Sequence, residues 1–398
     1  MSESNILIYR DQLLPYSETF IPAQVEHYRQ YRGWYVGSAQ LQNPPPAFRR
    51  DRTLTLDQHK PFPAIWKTLF KVFGSPHPQW LHQIKALSPQ LVHAHFGLDG
   101  ILALPLAKKL NIPLVVTFHG YYATTEPDPD FNPQDPLHWR RYLNQRGQFF
   151  RHLYFRRRTA LFRAVDCVVA VSQHIRQALI RQGCPADKIH VRYIGVDSQQ
   201  FQVKANVERQ STVLFVGRLV EKKGCEYLLR AMAQVQQNLP ETGLLIIGDG
   251  PLRQSLENLA SKTLRRYQFL GKQPAEIVRQ RMAQSRVLVA PSATTDRGET
   301  EGLPIVILEA MAMGLPVVAS RHAGIPEAIL HNESGSLVAE RDIAGLGQAI
   351  ADLLRNLSLW QQRSIAGRQR VEAAFDLCAN TRSLEALYTQ VLNQRLAK

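Results

Sequence analysis

The fold class predicted by this sequence is α/β, as two doubly wound Rossmann-like domains, and three observations carry it. At 398 residues the chain is too long for one ordinary core. Short runs rich in Val, Ile and Leu alternate with segments of helical period, the mark of a parallel sheet covered by helices on both faces. The alternation pauses at DSQQFQVKANVERQS, residues 197–211, which is polar and aperiodic like a linker, and then restarts. The expected domains are therefore 1–200 and 201–375, with a C-terminal helix from about 376 to 398 packing back on the first.

The elements follow in order. In the first half NILIY (5–9), QLVHAHF (90–96), PLVVTFH (113–119), CVVAVS (167–172) and IHVRYI (189–194) read as strands. Between them lie helical segments such as ILALPLAKKL (101–110) and QHIRQALIRQG (173–183), the second closed by a glycine in the usual C-terminal place. In the second half TVLFVG, TGLLIIGDG, YQFLGK, RVLVAPS and PVVAS are the strands, with CEYLLRAMAQVQQNL and PLRQSLENLASKTL as helices. Ligands of such sheets bind at the carboxyl ends of the strands.

Composition narrows the class. Hydrophobic residues make up 44% and charged residues 20%, a folded rather than disordered balance. Cys167, Cys184, Cys225 and Cys378 stand far apart, which argues against a disulfide framework or a cysteine zinc site and fits a reducing, cytoplasmic compartment. The opening MSESNILIYR lacks the features of a signal peptide. Net charge is +15, and residues 1–200 carry 24 Lys and Arg against 14 Asp and Glu. The densest basic part runs from Arg141 to Arg163, with aromatics interleaved. Three readings stay open for it: a solvated helix face, an anionic membrane surface such as the inner face of the plasma membrane, or nucleic acid. No nucleic-acid motif accompanies the charge, so no nucleic acid is expected as a partner.

The stretch EGLPIVILEAMAMGLPVVAS (301–320) reads like core yet holds glutamates at 301 and 309, the second inside its greasiest part. An unpartnered buried carboxylate costs several kcal/mol. Pro304 suits a first helical turn and Gly314 with Pro316 suits its end, which puts Glu301 in the preceding loop and Glu309 in the second turn. On one helix, eight residues would separate the two by roughly 12 Å, too far for the roughly 5–9.5 Å of a hydrolase carboxylate pair. Glu309 could instead accept two hydroxyls, as acidic residues do for ribose, or simply face water.

FVGRLVEKKG (215–224) sets Arg218 and Lys223 after a strand and before a helix that starts near Gly224. Cations are unfavourable at a helix N-terminus unless an anion sits there, so a diphosphate on the helix amides or a solvated basic loop explains them. IIGDGPLR carries two glycines, Gly248 and Gly250, of a dinucleotide fingerprint without the third. His119 ends a strand at a ligand-binding position, while His93 and His95 alternate onto one strand face and make a poor zinc site alone. Asp128 and Asp130 form a D-x-D, the type of pair that holds a metal–diphosphate complex, in a proline-broken loop lacking a presenting strand.

Together these stretches resemble retaining glycosyltransferases of family 4, with the GT-B fold. The E-x7-E of Glu301 and Glu309, VGRL…KG, GDGP, TFHG, YIGVD (193–197) and GLPVVAS followed by GIPE (324–327) carry the likeness over about 90–330. YSETFIPAQ (16–24), HAHFG (93–97) and TTDRGETEG are similar to a subgroup acting in exopolysaccharide, colanic-acid-type, assembly. The resemblance implies transfer of a hexosyl group from a nucleotide-diphosphate sugar to a glycan or polyprenyl-linked glycan, without metal or any cofactor beyond that co-substrate. It implies that Arg218 and Lys223 neutralise the leaving diphosphate, with Gly217, Gly248 and Gly250 lining the donor site. Glu309 would hold the ribose, Glu301 with Gly302, Leu303 and Pro304 the donor sugar, and His119 that sugar from the other domain. Pro304 stands where many members have glycine and removes one N–H from the loop. Closure of a cleft is the expected gate. Two readings compete: an epimerase or sugar-phosphate synthase of the same fold, and a non-catalytic basic protein that binds membrane or polyanions.

Overall fold

A computed structural model describes residues 4–15, 18–42, 44–45, 47–125, 146–202 and 207–397. The chain divides into two compact units, Met1–Tyr193 with Cys378–Lys398, and Ile194–Leu377.

The first unit holds a seven-stranded sheet in the order Thr53–Thr55, Tyr31–Gly37, Ser4–Tyr9, Leu91–His95, Leu114–Phe118, Cys167–Ala170, Ile189–Val191. Every pairing in it is parallel. In chain order the strands run 3-2-1-4-5-6-7, a doubly wound arrangement whose crossovers reverse beside Ser4–Tyr9. The strands are buried on both faces, which is why they read as nearly continuous apolar runs. The helix Leu377–Leu396 contributes Leu384, Leu387, Tyr388 and Val391 to the core around Ile6, Ile8, Val115 and Val169. Glu385 fastens it by accepting the Arg29 and Gln30 amides at 2.8 Å each.

The second unit repeats the design with six parallel strands ordered Tyr267–Gly271, Gly243–Ile247, Thr212–Val216, Val287–Ala290, Val317–Ser320, Ser336–Val338. That is the order 3-2-1-4-5-6. Its topological switch lies between Thr212–Val216 and Val287–Ala290, so the loops after these two strands flank the ligand-binding crevice of the sheet. They are the loops that carry Arg218 and Lys223 on one side and Glu301 on the other.

Two features differ from the sequence expectation. The polar segment 197–211 is not a free linker where it is described. Arg209 donates to the Met282, Ser285 and Met313 carbonyls at 2.8–2.9 Å, and the units divide earlier, after Tyr193. The strands Tyr31–Gly37, Thr53–Thr55 and Ser336–Val338 were not anticipated. YRGWYVG is broken by Gly33 and Gly37, whose missing side chains leave room for the Val25 side chain and the Arg10 carbonyl. Packing demands glycine there, and glycine hides the strand.

Candidate active site

The turn after Thr212–Val216 is folded tightly onto the turn after Gly243–Ile247. Gly217 N–H donates to Ile247 O at 3.0 Å and Leu219 N–H to Asp249 O at 2.9 Å. A side chain on Gly248, whose φ is +142°, would collide with the Gly217 carbonyl, and one on Gly250 with that of Leu219. These glycines are accounted for by backbone meeting backbone. The contact holds Arg218 out in an exposed position, with no ion pair among the described residues.

Lys222 and Lys223 then lie in a single 3-10 turn, Glu221–Lys223, before the helix Cys225–Asn238. The helix N-cap is Gly224 at φ +63°, pressed against the Pro291 carbonyl, and no side chain caps the first N–H groups. The Lys222 carbonyl accepts the Ala293 N–H at 3.0 Å, stitching this turn to the loop after Val287–Ala290.

That loop delivers Glu301. Its carboxylate is buried and meets Lys223 Nζ at 3.1 Å and Lys222 Nζ at 3.7 Å. Burial pushes this carboxyl up, but Lys223 and then Lys222 overcome it and hold the group below its ordinary value. Glu301 is therefore an anion, and its Oε1, though buried, accepts no hydrogen bond. Gly302, Leu303 and Pro304 are buried beside it. Pro304 is the N-cap of the helix Ile305–Ala312, one position before the first turn in which it was expected.

Glu309 lies within that helix, half-buried. Burial pushes its carboxyl up to about 7, with Arg279 opposing. Its side chain is partly withdrawn from water, neither fully exposed nor enclosed. The structure brings Lys223 and Glu301 into contact and sets Arg218 in the loop that leads into the Lys223 turn. Among the described residues no hydrogen bond or ion pair joins Glu309 to that pair.

His119 belongs to the first unit. Its Nε2 lies 3.0 Å from His95 Nδ1, and its ring is flanked by Phe20 and Phe96 at 4.8 and 4.7 Å. Burial, then His93 and Arg10, drives its pKa down to about 3, so it is neutral, and its Nδ1 is buried without a hydrogen-bond partner. His93 is structural: its ring nitrogens bond Tyr388 Oη and Thr117 Oγ1 at 2.6 Å each. Nearby, Arg10 binds Glu18 through two hydrogen bonds of 2.7 and 2.8 Å and Asp99 at 2.8 Å. Tyr16 and Ser17 of the same YSETF stretch, Asp128 and Asp130, and residues 141–145 lie outside the described residues.

Sequence reasoning missed Lys222, Arg279, Arg10 and two residues behind Glu301, His322 and Glu340. Lys222 and Lys223 are neighbours in one string of charges, and only the turn shows that both reach Glu301. His322 stands two residues before GIPE, the one available signal.

Comparisons with known proteins bear on the family and the fold. Residues 210–356 match the family model described as glycosyl transferases group 1, and residues 25–200 match that of glycosyltransferase family 4. The chain is 34% identical over 224 residues to the amylovoran biosynthesis glycosyltransferase AmsK of Erwinia amylovora, covering 54% of each chain. It is 31% identical over 270 residues to the putative colanic acid biosynthesis glycosyltransferase WcaL of Escherichia coli, covering 65% of this chain and 60% of the relative. It thus spans little more than half the length of these curated relatives. Among solved structures, Anabaena Alr3699/HepE in complex with UDP and glucose superimposes with a TM-score of 0.74 at 20% identity, covering 98% of this chain and 100% of that one. A sucrose-phosphate synthase from Thermosynechococcus elongatus gives 0.74 at 21%, with the same coverage. These two likenesses establish the fold, and the family models and curated relatives establish the kinship: the chain belongs to glycosyltransferase family 4.

Proposed function

We propose that the protein transfers a hexosyl group, with retention and without a metal, from a nucleoside-diphosphate sugar to a glycan or lipid-linked glycan during assembly of a cell-surface polysaccharide. The observation that carries the reading is the buried Glu301 carboxylate, ionised by Lys223 and Lys222 at the switch point of the second sheet, with one oxygen left without a hydrogen bond. A sugar hydroxyl satisfies that oxygen. The adjacent cations, Arg218 and Lys223, and the uncapped helix amides suit a diphosphate.

On this reading the bond from the anomeric carbon to the diphosphate oxygen breaks, and the electron pair leaves with the nucleoside diphosphate. Arg218 and Lys223 stabilise the charge that develops there, in the manner of an oxyanion hole. The acceptor oxygen bonds to the anomeric carbon from the same face, and its proton passes to the departing phosphate oxygen. Glu301, held by two ammonium groups, orients the sugar. Glu309 accepts the ribose hydroxyls.

A donor panel tests the proposal. It includes UDP-glucose, because HepE was also solved with that molecule, and GDP-mannose, because a GDP-mannose-dependent mannosyltransferase of Mycolicibacterium smegmatis is 32% identical over 227 residues. A nucleoside diphosphate at a hundredfold excess over its Kd stabilises the fold by about 2.7 kcal/mol, and a donor sugar is transferred or slowly hydrolysed. No thermal shift with UDP, GDP or ADP overturns the reading. Turnover of the donor alone to an epimer replaces it with the epimerase reading.

Membrane attachment belongs to the same proposal. On the helix Pro63–Phe73, Ile65, Leu69 and Phe73 recur every four residues, and Phe62 precedes it. Phe62, Ile65 and Phe73 are 66%, 55% and 72% exposed, an apolar stripe facing outward. Arg157 donates to the Val72 carbonyl at 3.0 Å, which places the arginine-rich helix Arg146–Ala164 beside it. Arg156, Arg157 and Arg163 are exposed. Apolar residues rimmed by cations fit an anionic bilayer; no helix among the described residues is long and apolar enough to cross one. Co-sedimentation with vesicles containing phosphatidylglycerol is expected, and not with phosphatidylcholine alone. In 0.5 M salt partitioning should fall at least about tenfold, since each basic contact contributes about 1 kcal/mol. A Phe62→Ser, Ile65→Ser, Phe73→Ser triple variant should lower it at least as much, since each buried CH2 contributes about 0.8 kcal/mol. Equal sedimentation with both lipids refutes attachment by charge.

A further inference from the structure

Behind the Glu301 loop lies a ring of hydrogen bonds that none of the sequence motifs contains. The Glu301 backbone N–H points at His322 Nε2, 3.1 Å away. An N–H donor there requires Nε2 to carry no proton, so the proton of the neutral ring is on Nδ1. Nδ1 lies 2.6 Å from Glu340 Oε1, a carboxylate acceptor. Glu340 also accepts the Thr294 N–H on Oε2 at 2.8 Å and the Thr294 hydroxyl on Oε1 at 3.2 Å. Burial pushes the Glu340 carboxyl up, but these bonds from Thr294 and His322 hold it below its ordinary range. Ala293, next to Thr294, donates its N–H to the Lys222 carbonyl. Lys222 and its neighbour Lys223 return to the Glu301 carboxylate, closing the circuit.

The circuit has a physical purpose. The loop from Pro291 to Pro304 has no regular secondary structure, so few backbone bonds fix it. Nevertheless it must hold a buried anion within reach of two ammonium groups. A neutral imidazole with no exposed side-chain surface, its tautomer set by a carboxylate, is a rigid peg for one point on that loop.

We propose that His322 and Glu340 are positioning residues for sugar transfer, fixing through the Glu301 backbone N–H where the Glu301 carboxylate meets the donor sugar. Among the described residues no hydrogen bond or ion pair joins them to Arg218 or Glu309, and they reach Lys222 only through Thr294 and Ala293, so their loss falls first on the Glu301 loop. Displacement of a positioned group by about 1 Å can cost roughly 100-fold in rate.

The inference rests on the sugar-transfer reading, and its test separates the two. His322→Ala, His322→Gln and Glu340→Ala are compared with the unaltered protein for kcat and KM on whichever of UDP-glucose, GDP-mannose and ADP-glucose is turned over, and for Kd of the matching nucleoside diphosphate. His322→Ala is expected to lower kcat roughly 10- to 100-fold, with the Kd unchanged within about threefold. Glu340→Ala moves the same way by less. His322→Gln, whose Oε1 can take the place of Nε2 as acceptor, recovers most of the lost kcat. A residue serving only stability would instead lower Tm and affinity together, and Gln would do no better than Ala. An unchanged kcat in His322→Ala overturns the proposal. One arm needs no donor: in 1H–15N spectra, with His322→Gln to assign the signal, the ring carries its proton on Nδ1. A proton on Nε2 overturns the arrangement even if no donor is turned over, whereas failure of every donor with the Nδ1 tautomer intact counts against the transfer reading alone.

Discussion

Lys223→Ala is expected to lower kcat/KM for sugar transfer by about 100- to 1,000-fold, the range seen when one preorganised charge-stabilising donor is removed. Two losses combine. The leaving diphosphate loses a cation 3.1 Å from Glu301, and the buried Glu301 carboxylate loses the stronger of its two partners. Lys222, at 3.7 Å, remains and keeps the carboxylate from being wholly unpaired. The fold should therefore survive with a loss of about 1–2 kcal/mol, less than the 3–5 kcal/mol of a fully stranded buried charge. Lys222→Ala makes the comparison: the same direction with a smaller effect. Steady-state kinetics with thermal unfolding of both variants checks the pair. A Lys223→Ala protein within threefold of normal kcat/KM would remove the cationic pocket from the mechanism.

Glu309→Gln should improve stability while it damages binding. The folded-state carboxyl is raised to about 7 from an ordinary value near 4.5. The folded protein thus binds a proton that the unfolded chain releases between these values. This contribution to stability is present below about pH 4.5 and is lost as pH rises through about 7. Above pH 7 the ligand-free protein carries a half-buried anion, at a cost on the order of 3 kcal/mol. The Gln variant carries none, so its Tm should exceed that of the unaltered protein at pH 8 and match it near pH 5. Ribose hydroxyls favour the ionised carboxylate, so nucleoside-diphosphate affinity should fall as pH drops below 7. In the Gln variant it should be weaker by roughly 10- to 100-fold, with the dependence due to residue 309 gone, as hydrogen bonds to charged groups contribute about 1.5–3 kcal/mol. Titration of the phosphate is common to both proteins and cancels in their difference. Equal affinity at pH 8 would return Glu309 to a purely structural place, and the gain in Tm is the mark of a residue kept at the expense of stability.

The fold was legible because doubly wound sheets bury strands on both faces. NILIY, QLVHAHF and TVLFVG betray themselves by composition alone. Tyr31–Gly37 was not legible, because the glycines that let the Val25 side chain and the Arg10 carbonyl approach also interrupt the apolar run. Segment 197–211 looked loose because Arg209 is polar, yet its guanidinium satisfies three carbonyls. Polarity in a sequence does not reveal whether hydrogen-bond partners await it.

The chain's own order of residues determined the α/β class, the repeated strand–helix pattern, the two glutamates in an apolar stretch and the basic turn at 218–223. Those are properties of neighbours along the chain, set by periodicity and composition. Tertiary structure alone decided that Lys222, Lys223 and Glu301, nearly 80 positions apart, meet at the switch point, because strand order 3-2-1-4-5-6 lays the first and fourth strands side by side. It alone decided that His322 and Glu340 stand behind Glu301 and that Glu309 is recessed enough to titrate near 7. Ionisation and tautomer depend on burial and on partners brought from distant strands, and these come into being only when the sheet closes around them.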